Sequence, residues 1–490
     1  MLPLIKQYKK ELGLVLLSLA YLVVNMVFTY HGFLLLNLLP VALLLIYLAF
    51  VRLDIIYFII IGFTPLSVPL LEFVRGTPID FYMPTEPLLF GIMLIVIYRS
   101  VQQPFLDRRV LNHPVSLAIL FNLFWLVFTT VTSSMPLVSL KYVLARIWFL
   151  TTFYLLAIYL FKDTRNIYRM LWAYVLPLLI VIGYAWSRHW IFGLRDREAA
   201  HWVMNPFYRD HTSYGAVLAM LLFPYIGINM VGNRSLLRKA SITAVGLILF
   251  IALIFSYTRA AWISIFVSLF VWTVVKLRIK FKFLVLAGMF ALFVAYLNQP
   301  VIIKMMERNE KESSENLAEH LQSVTNIATD ESNLERINRW ASAFRMFKER
   351  PVLGWGPGTY MFQYAPFQHS SQRTSISTNF GDGGNAHSEY IGPLAESGVL
   401  GTISFVLIIV AALVTAFSVY RKIEKKRIKG LVLAVTLGFI TYLFHGLLNN
   451  FLDTDKASSL FWGYIAVFVS LDLYYLPKQQ ERKKIAETEA

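Results

Sequence analysis

The chain has 490 residues, 57% of them hydrophobic, a mean hydropathy of +0.59 and no cysteine. That composition excludes an ordinary soluble domain, and the missing cysteine excludes disulfides, thiolate catalysis and cysteine-ligated metal. The formal charge of +16 is spread between apolar runs rather than gathered on one face or tail, which argues against a nucleic-acid partner.

Apolar runs recur that are long enough to cross a hydrocarbon core, about 20 residues each. A membrane β-barrel would alternate apolar and polar residues in segments of about ten, whereas "LGLVLLSLAYLVVNMVF" is apolar on every face. The predicted fold is therefore all-α, a polytopic helical integral membrane protein with about 12–14 transmembrane helices. A basic start followed by apolar sequence through Phe50, without a small-residue cleavage motif, reads as an uncleaved first span.

Taken in chain order, predicted spans run at 11–28, 32–50, 53–70, 83–98, 112–131, 140–161, 170–186, 212–230, 241–257, 260–275, 281–297, 397–419, 430–448 and 457–476. Closely spaced prolines in "TPLSVPLLEFVRGTPIDFYMP" mark a short or re-entrant stretch. With a cytoplasmic N-terminus, the inside segments hold 27 Lys or Arg and the six short outside segments about 8, the bias that positive-inside orientation requires. Both termini are then cytoplasmic. The chain divides into 1–297 with about eleven spans, an outside loop at 298–396, about three further spans at 397–476, and a basic cytoplasmic tail at 477–490.

The outside loop is too long to lack structure of its own without a functional or disorder explanation. In "NLERINRWASAFRMFKERPVLGWGPGTY", Leu334, Ile337, Trp340, Ala341, Phe344 and Phe347 recur at helical spacing, Pro351 ends the helix, and Gly354, Gly356 and Gly358 make a turn-rich return. A second candidate helix lies around "MMERNEKESSENLAEHLQSV". Together they predict a small lid over the outer face.

Candidate chemistry concentrates outside. The connection 184–216 carries Arg188, Arg195, Arg197 and Arg209 with His189, His201 and His211, a basic patch suited to an arriving anion. Arg209 and His211 stand immediately before the next span. In "LIFSYTRAAWISIF", Arg259 occupies a hairpin so tight that it sits at the interface, either as a snorkelling anchor or as a phosphate-binding guanidinium. Arg336 and Arg339 share one side of the lid helix, free to meet an anion or to pair with Glu335 and Asp330. In "NAHSEYIGPLAESGVLG", Asn385 caps a helix predicted from near Ala386. That leaves His387 by a helix N-terminus where it stays neutral, as a proton acceptor or as a loop histidine that only hydrogen-bonds. Glu389 falls inside that helix, Glu396 further along, and Gly398 and Gly401 allow close helix approach. Arg146 is the main ionisable group within a span. No P-loop, HExxH or GxSxG sequence occurs, and Asp453 with Asp455 make weak metal evidence, so no metal or cofactor is expected.

"SYTRAAW", "ERINRWASAFRMFKERPVLGWGPGTY", "NAHSEYIGPLAESGVLG" and "FHGLLNNFLDTDKASSLFWG" together resemble the O-antigen ligase and polymerase superfamily of bacterial envelope glycosyltransferases, over roughly residues 200–465. The resemblance implies an inner-membrane protein with a large periplasmic loop and its active site on that face. It also implies an undecaprenyl-diphosphate-linked glycan as donor, and lipid A-core (ligase) or another glycan-lipid (polymerase) as acceptor. Periplasmic arginines would hold the diphosphate without metal: Arg259 from the hairpin and one from the preceding connection, Arg209 first and Arg188, Arg195 or Arg197 as alternatives, with Arg336 and Arg339 of the lid helix, read above from their spacing, as further anion contacts. His387 would accept the hydroxyl proton with Glu389 orienting it, and direct attack would invert the anomeric centre. Ligation is the first expectation, chain polymerisation the second, and transport of a lipid-linked substrate the alternative of another class.

Overall fold

The computed structural model describes residues 2–32, 34–72, 81–102, 107–230, 235–280, 282, 331–374, 377–378 and 384–488. These residues are overwhelmingly helical, and eleven of their helices are long and apolar enough to cross a membrane. The expected spans 32–50 and 53–70 are shorter apolar helices, at Leu36–Val51 and Leu53–Leu66. The span expected at 281–297 and the acidic helix before residue 325 lie outside the described residues.

The chain divides into two compact units, Met1–Ile59 and Ile60–Ala490. The first contains helices α1 (Leu2–Tyr30) and α2 (Leu39–Val51) and the start of α3 (Leu53–Phe63). Within it Tyr21 Oη donates to the Leu36 carbonyl at 3.0 Å and Asn25 Nδ2 to Asn37 Oδ1 at 2.7 Å.

The second unit carries α4 (Thr85–Gln102), α5 (Pro114–Val131), α6 (Pro136–Phe149, continued through a π-helical turn to Phe161), α7 (Arg165–Phe192), α8 (His211–Met230), α9 (Leu236–Phe255), α10 (Arg259–Lys276), the lid helix α11 (Glu331–Glu349), α12 (Gly392–Lys422), α13 (Lys426–His445) and α14 (Asp455–Ser470). Prolines stand in the first turns of α5, α6 and α12, where no amide donor is required. The proline-rich stretch before α4 forms 3₁₀ turns and a two-residue antiparallel pair, β1 (Val68–Pro69) with β2 (Tyr82–Met83), in place of a regular helix.

Every residue of α14 is buried, enclosed within the second unit by α6 with its π-helical continuation, α8, α12 and α13. Alpha-helix α8 lies against α13 so closely that a Cβ on Gly227 would collide with Ala434, and one on Gly438 with the Met220 carbonyl. Pro224 in α8 leaves the Met220 carbonyl without its usual amide partner, and Tyr464 Oη of α14 donates to it at 3.0 Å. Tyr225 Oη likewise reaches the Leu171 carbonyl of α7 at 2.8 Å. Such bonds satisfy backbone oxygens where no water can.

From α4 onward the membrane helices alternate in direction. Connections 132–135, 193–210, 256–258 and 446–454 gather at one end, together with the lid. Connections 107–113, 162–164 and 423–425 and the residues after 471 meet at the other, where Tyr474 Oη donates to Asp107 at 3.0 Å and Arg427 lies over the Tyr168 ring at 4.9 Å. Of the charge-rich segments that sequence assigned to one side, those at 107–110, 162–169 and 421–429 and the start of the C-terminal tail share this end.

The lid helix departs from its predicted packing. The residues of its apolar stripe that were expected to pack, Leu334, Ile337 and Phe344, are exposed, and the buried face is Glu335, Asn338, Arg339, Ser342, Ala343 and Met346. The cause is the 364–378 segment. Its Gln368 Oε1 accepts from Asn338 Nδ2 at 2.8 Å, the Phe367 carbonyl accepts from Arg345 Nη1 at 2.5 Å, and Thr374 Oγ1 donates to Glu335 at 3.0 Å. Polar partners, supplied from far along the chain, turned the helix.

Candidate functional site

The glycine loop after α11 docks the lid onto the bundle. Gly354, Gly356 and Gly358 all have positive φ, and a Cβ at Gly356 would collide with Ser133 Oγ. The Trp355 and Gly356 amides donate to the Ala395 and Glu396 carbonyls at 2.9 and 2.8 Å, and Ser139 Oγ donates to the Pro357 carbonyl at 2.8 Å. Gly398 serves this same docking. It interrupts the helical φ/ψ of α12 at φ 69°, where a Cβ would strike the Val352 carbonyl, so its smallness admits the loop rather than another helix.

The 385–389 turn is not helical. Helix α12 starts at Gly392, and Asn385 instead accepts the His387 amide at 3.0 Å in a local turn that holds His387 at φ 47°. The short polar hop from Asn385 competes with helix formation, and Pro393 fixes the later start. His387 is half-buried. Burial first, and then the Arg336 and Arg339 cations, hold its pKa down to about 4, with Asp210 opposing them. It is therefore neutral at physiological pH, by burial and arginines rather than by a helix terminus.

The "SYTR" hairpin is tied to the start of α8. Tyr257 takes φ 50°, and Thr258 Oγ1 donates to the His211 carbonyl at 2.7 Å. This places Arg259, the first residue of α10, within electrostatic range of the His211 ring, as is Arg336. His211 stacks on His201 with ring centroids 4.1 Å apart. Asp210 caps α8, accepting from the Ser213 amide at 2.7 Å, and acts on His211, His387 and His445 alike. Asp210 and Arg336 are thus the common members of a cluster that contains Arg259, Arg339, His211 and His387.

Arg339 is almost wholly enclosed. Its Nε lies 2.5 Å from Glu335 Oε1 and its guanidinium 4.3 Å from the Tyr364 ring centroid, with both side chains of the ion pair about nine-tenths buried or more, at 4% and 5% exposure. Burial opposes ionisation of Glu335, but Ser377 and Arg339 hold its carboxyl below the ordinary value. Arg336 Nε donates to the Leu448 carbonyl at 3.3 Å, pinning the lid to the 446–454 connection.

Glu389 has other work than orienting His387. Its Oε1 accepts from Tyr442 Oη at 2.7 Å and from the Phe451 and Leu452 amides at 2.8 and 2.9 Å, while burial pushes its pKa up. It clamps the 385–389 turn to the connection after α13. Of the basic patch, Arg188 donates to the Asn205 carbonyl at 2.7 Å and covers Trp202, His189 Nε2 meets the Asp196 carbonyl at 2.8 Å, and Arg195 and Arg197 are exposed. Arg209 lies over the Tyr82 ring at 5.6 Å and acts on Asp453, lining a cavity of about 450 Å³. Asp455 is committed to structure, accepting from Ser67 and Thr85 at 2.7 and 2.5 Å beside Lys456.

Sequence reasoning gives neither Asp210 nor His445 a place in the site: Asp210 reads there as a neutraliser of neighbouring charge. His445 is buried at the end of α13, with Nε2 3.1 Å from Asn449 Nδ2. The readable signals were an acidic residue three before Ser213 and the i, i+4 spacing of His445 and Asn449.

Chemically, two guanidiniums acting on a neutral imidazole, with the Arg259 guanidinium acting on His211 beside Asp210, suit a multiply charged anion beside a proton acceptor. Residues 244–406 match the family model described as O-antigen ligase (Wzy_C), a stretch that contains Arg259, Arg336, Arg339 and His387. The match supports the O-antigen ligase superfamily, whose members are glycosyltransferase-like enzymes acting on lipid-linked glycans. No curated protein matches the chain.

Proposed function

We propose, starting from a chain that carries a domain of the O-antigen ligase superfamily, that it transfers a glycan from undecaprenyl diphosphate to an acceptor hydroxyl at the periplasmic face of the bacterial inner membrane. The observation that carries this reading is that Arg336 and Arg339 act on the neutral His387 and Arg259 and Arg336 on His211, with Asp210 acting on both histidines. Arg259 and Arg336 hold the diphosphate oxygens, and Arg339, fixed by Glu335 and Tyr364, supplies positive field behind them.

The acceptor oxygen attacks the anomeric carbon while the bond from that carbon to the diphosphate oxygen breaks, inverting the centre. The hydroxyl proton passes to His387, and charge growing on the leaving diphosphate meets the arginines. The donor also prepares its own base. Its negative charge offsets the two arginines that suppress His387, so the imidazole gains basicity when the donor is bound. The acceptor is lipid A-core in this reading, and both termini face the cytoplasm.

The test is metal-free transfer by the purified chain in nanodiscs, with undecaprenyl-diphosphate glycan and separate lipid A-core and glycan-lipid acceptors. Product on lipid A-core supports ligation, and extension of the glycan-lipid replaces it with polymerisation. A folded protein that binds donor and transfers to neither acceptor overturns the catalytic reading in favour of transport.

A further inference from the structure

The cavity beside Arg209 is separate in chemistry from the arginine cluster. It is walled by α4, α6, the glycine loop, the 385–396 segment and the 450–454 connection. At about 450 Å³ it falls within the roughly 300–1,000 Å³ usual for ligand pockets. Its lining mixes carboxyl groups (Glu86, Glu389, Glu396, Asp453) and cations (Lys141, Arg146, Arg209) with aromatic rings (Tyr82, Tyr142, Trp148). Polar groups of both signs meet hydroxyls as acceptors and donors and aromatic faces cover the apolar faces of a pyranose, and the lining has no excess of positive charge to draw a polyanion.

Three lining groups are buried without a hydrogen-bond partner in the protein: Arg146 Nη1, Trp148 Nε1 and Asn450 Oδ1. Arg146 is 7% exposed, its Nη2 already given to Tyr142 Oη at 2.7 Å. Two donors on α6 and one acceptor on the 450–454 connection, left unmet in the cavity lining, carry a desolvation penalty that a polar ligand would relieve.

The cavity and the arginine cluster also share their partitions. Ala386 and Ser388 line the cavity, while His387 between them lies under Arg336 and Arg339. Arg209 lines it, while Asp210 acts on His387. Asn450 lines it, while Asn449 holds His445. Each of three turns presents one residue to either side.

We infer that this cavity is a sugar-binding subsite that seats an uncharged pyranose of the acceptor glycan, with Arg146, Trp148 and Asn450 as its hydrogen-bonding residues. The inference deepens the transfer reading and rests on it for the word acceptor. The donor diphosphate then occupies one side of the 385–389 turn and the acceptor sugar the other, with His387 between them.

The experiment uses the full chain in nanodiscs and two probes: methyl pyranosides of glucose, galactose, mannose, rhamnose and N-acetylglucosamine, followed by saturation-transfer NMR, and inorganic pyrophosphate, followed by phosphorus NMR. At least one pyranoside is expected to bind. Arg146→Met and Asn450→Ala should each weaken that binding about tenfold or more, the worth of a buried hydrogen bond to a charged or otherwise unpaired group, and leave pyrophosphate binding unchanged. Trp148→Phe, which removes one N–H donor, provides a conservative third variant should Arg146→Met fail to fold. Binding of pyrophosphate but of no pyranoside, or pyranoside binding unaltered in folded Asn450→Ala and Trp148→Phe, overturns the inference and leaves a water-filled cavity. Pyranoside without pyrophosphate binding would instead overturn the donor reading.

Discussion

At the end of the bundle away from the site, Arg109 pairs with Asp107 and Arg165 with Asp163, each 2.8 Å apart, and the arginine side chains are 63% and 80% exposed. At the site end, Arg339 pairs with Glu335 at 4% and 5% exposure, Arg336 reaches a backbone carbonyl 112 residues away, and Arg146 is enclosed. The residue types are the same. What differs is whether solvent screens the charge, and a charge kept from solvent acts on its neighbours at full strength. Burial first, and then the unscreened Arg336 and Arg339 cations, hold the His387 pKa down.

The comparison breaks first at Arg259 and His387. Arg259→Ala should lower transfer about 10²–10³-fold, the range for removing a preorganised donor from a developing charge. Arg259→Lys should restore little of it, since a point charge lacks the planar fork. His387→Ala should lower turnover about 10²-fold or more in the same assay, with folding checked by melting.

A second effect is in pH. A base must be neutral, so kcat/KM should fall only as pH drops through about 4, the free-protein value of His387, and stay level from pH 6 to 8. The stability contribution has the same sign. Because the folded pKa lies below the ordinary 6.5, it is present above 6.5 and is lost as pH falls toward 4. In Arg336→Met the acid limb should move upward.

Glu335→Gln should cost about 3 kcal/mol in the lid, because it leaves the enclosed Arg339 cation unpaired. A lowered melting temperature with partial activity is expected, and an unchanged melt would mean that Arg339 is solvated. Gly356→Ala should be milder, about 1–3 kcal/mol, from a side chain forced into a positive-φ position against Ser133. Arg109→Ala and Arg165→Ala, at the exposed end, should change neither activity nor melting measurably. An effect there as large as at Glu335 would remove the contrast between the ends.

Much of this fold could be read before the structure. Runs of apolar residues have little choice but to be helices, and four of the eight Lys- and Arg-rich segments expected on one side group at one end of the second unit. Arg259 and His387 were legible because a tight hairpin and a loop–helix junction leave few places for a charged side chain. The lid face was not. Periodicity identifies an apolar stripe but cannot say that Gln368 and Thr374 will meet the opposite, polar face. Glu389 looked like a partner for His387 by proximity in sequence, yet three donors from α13 and the connection after it claimed its carboxylate. The cavity was invisible for the same reason: Arg146, Arg209 and Asn450 come together only when three distant segments close.

The most direct measurement is the titration of the His387 ring by NMR in the full chain, in wild type and Arg336→Met, with and without inorganic pyrophosphate. A pKa near 4 that rises in Arg336→Met, and rises in the wild type when pyrophosphate binds, would establish that the arginines and the histidine form one site. A ring that titrates near its ordinary 6.5 and ignores both the substitution and the anion would contradict it.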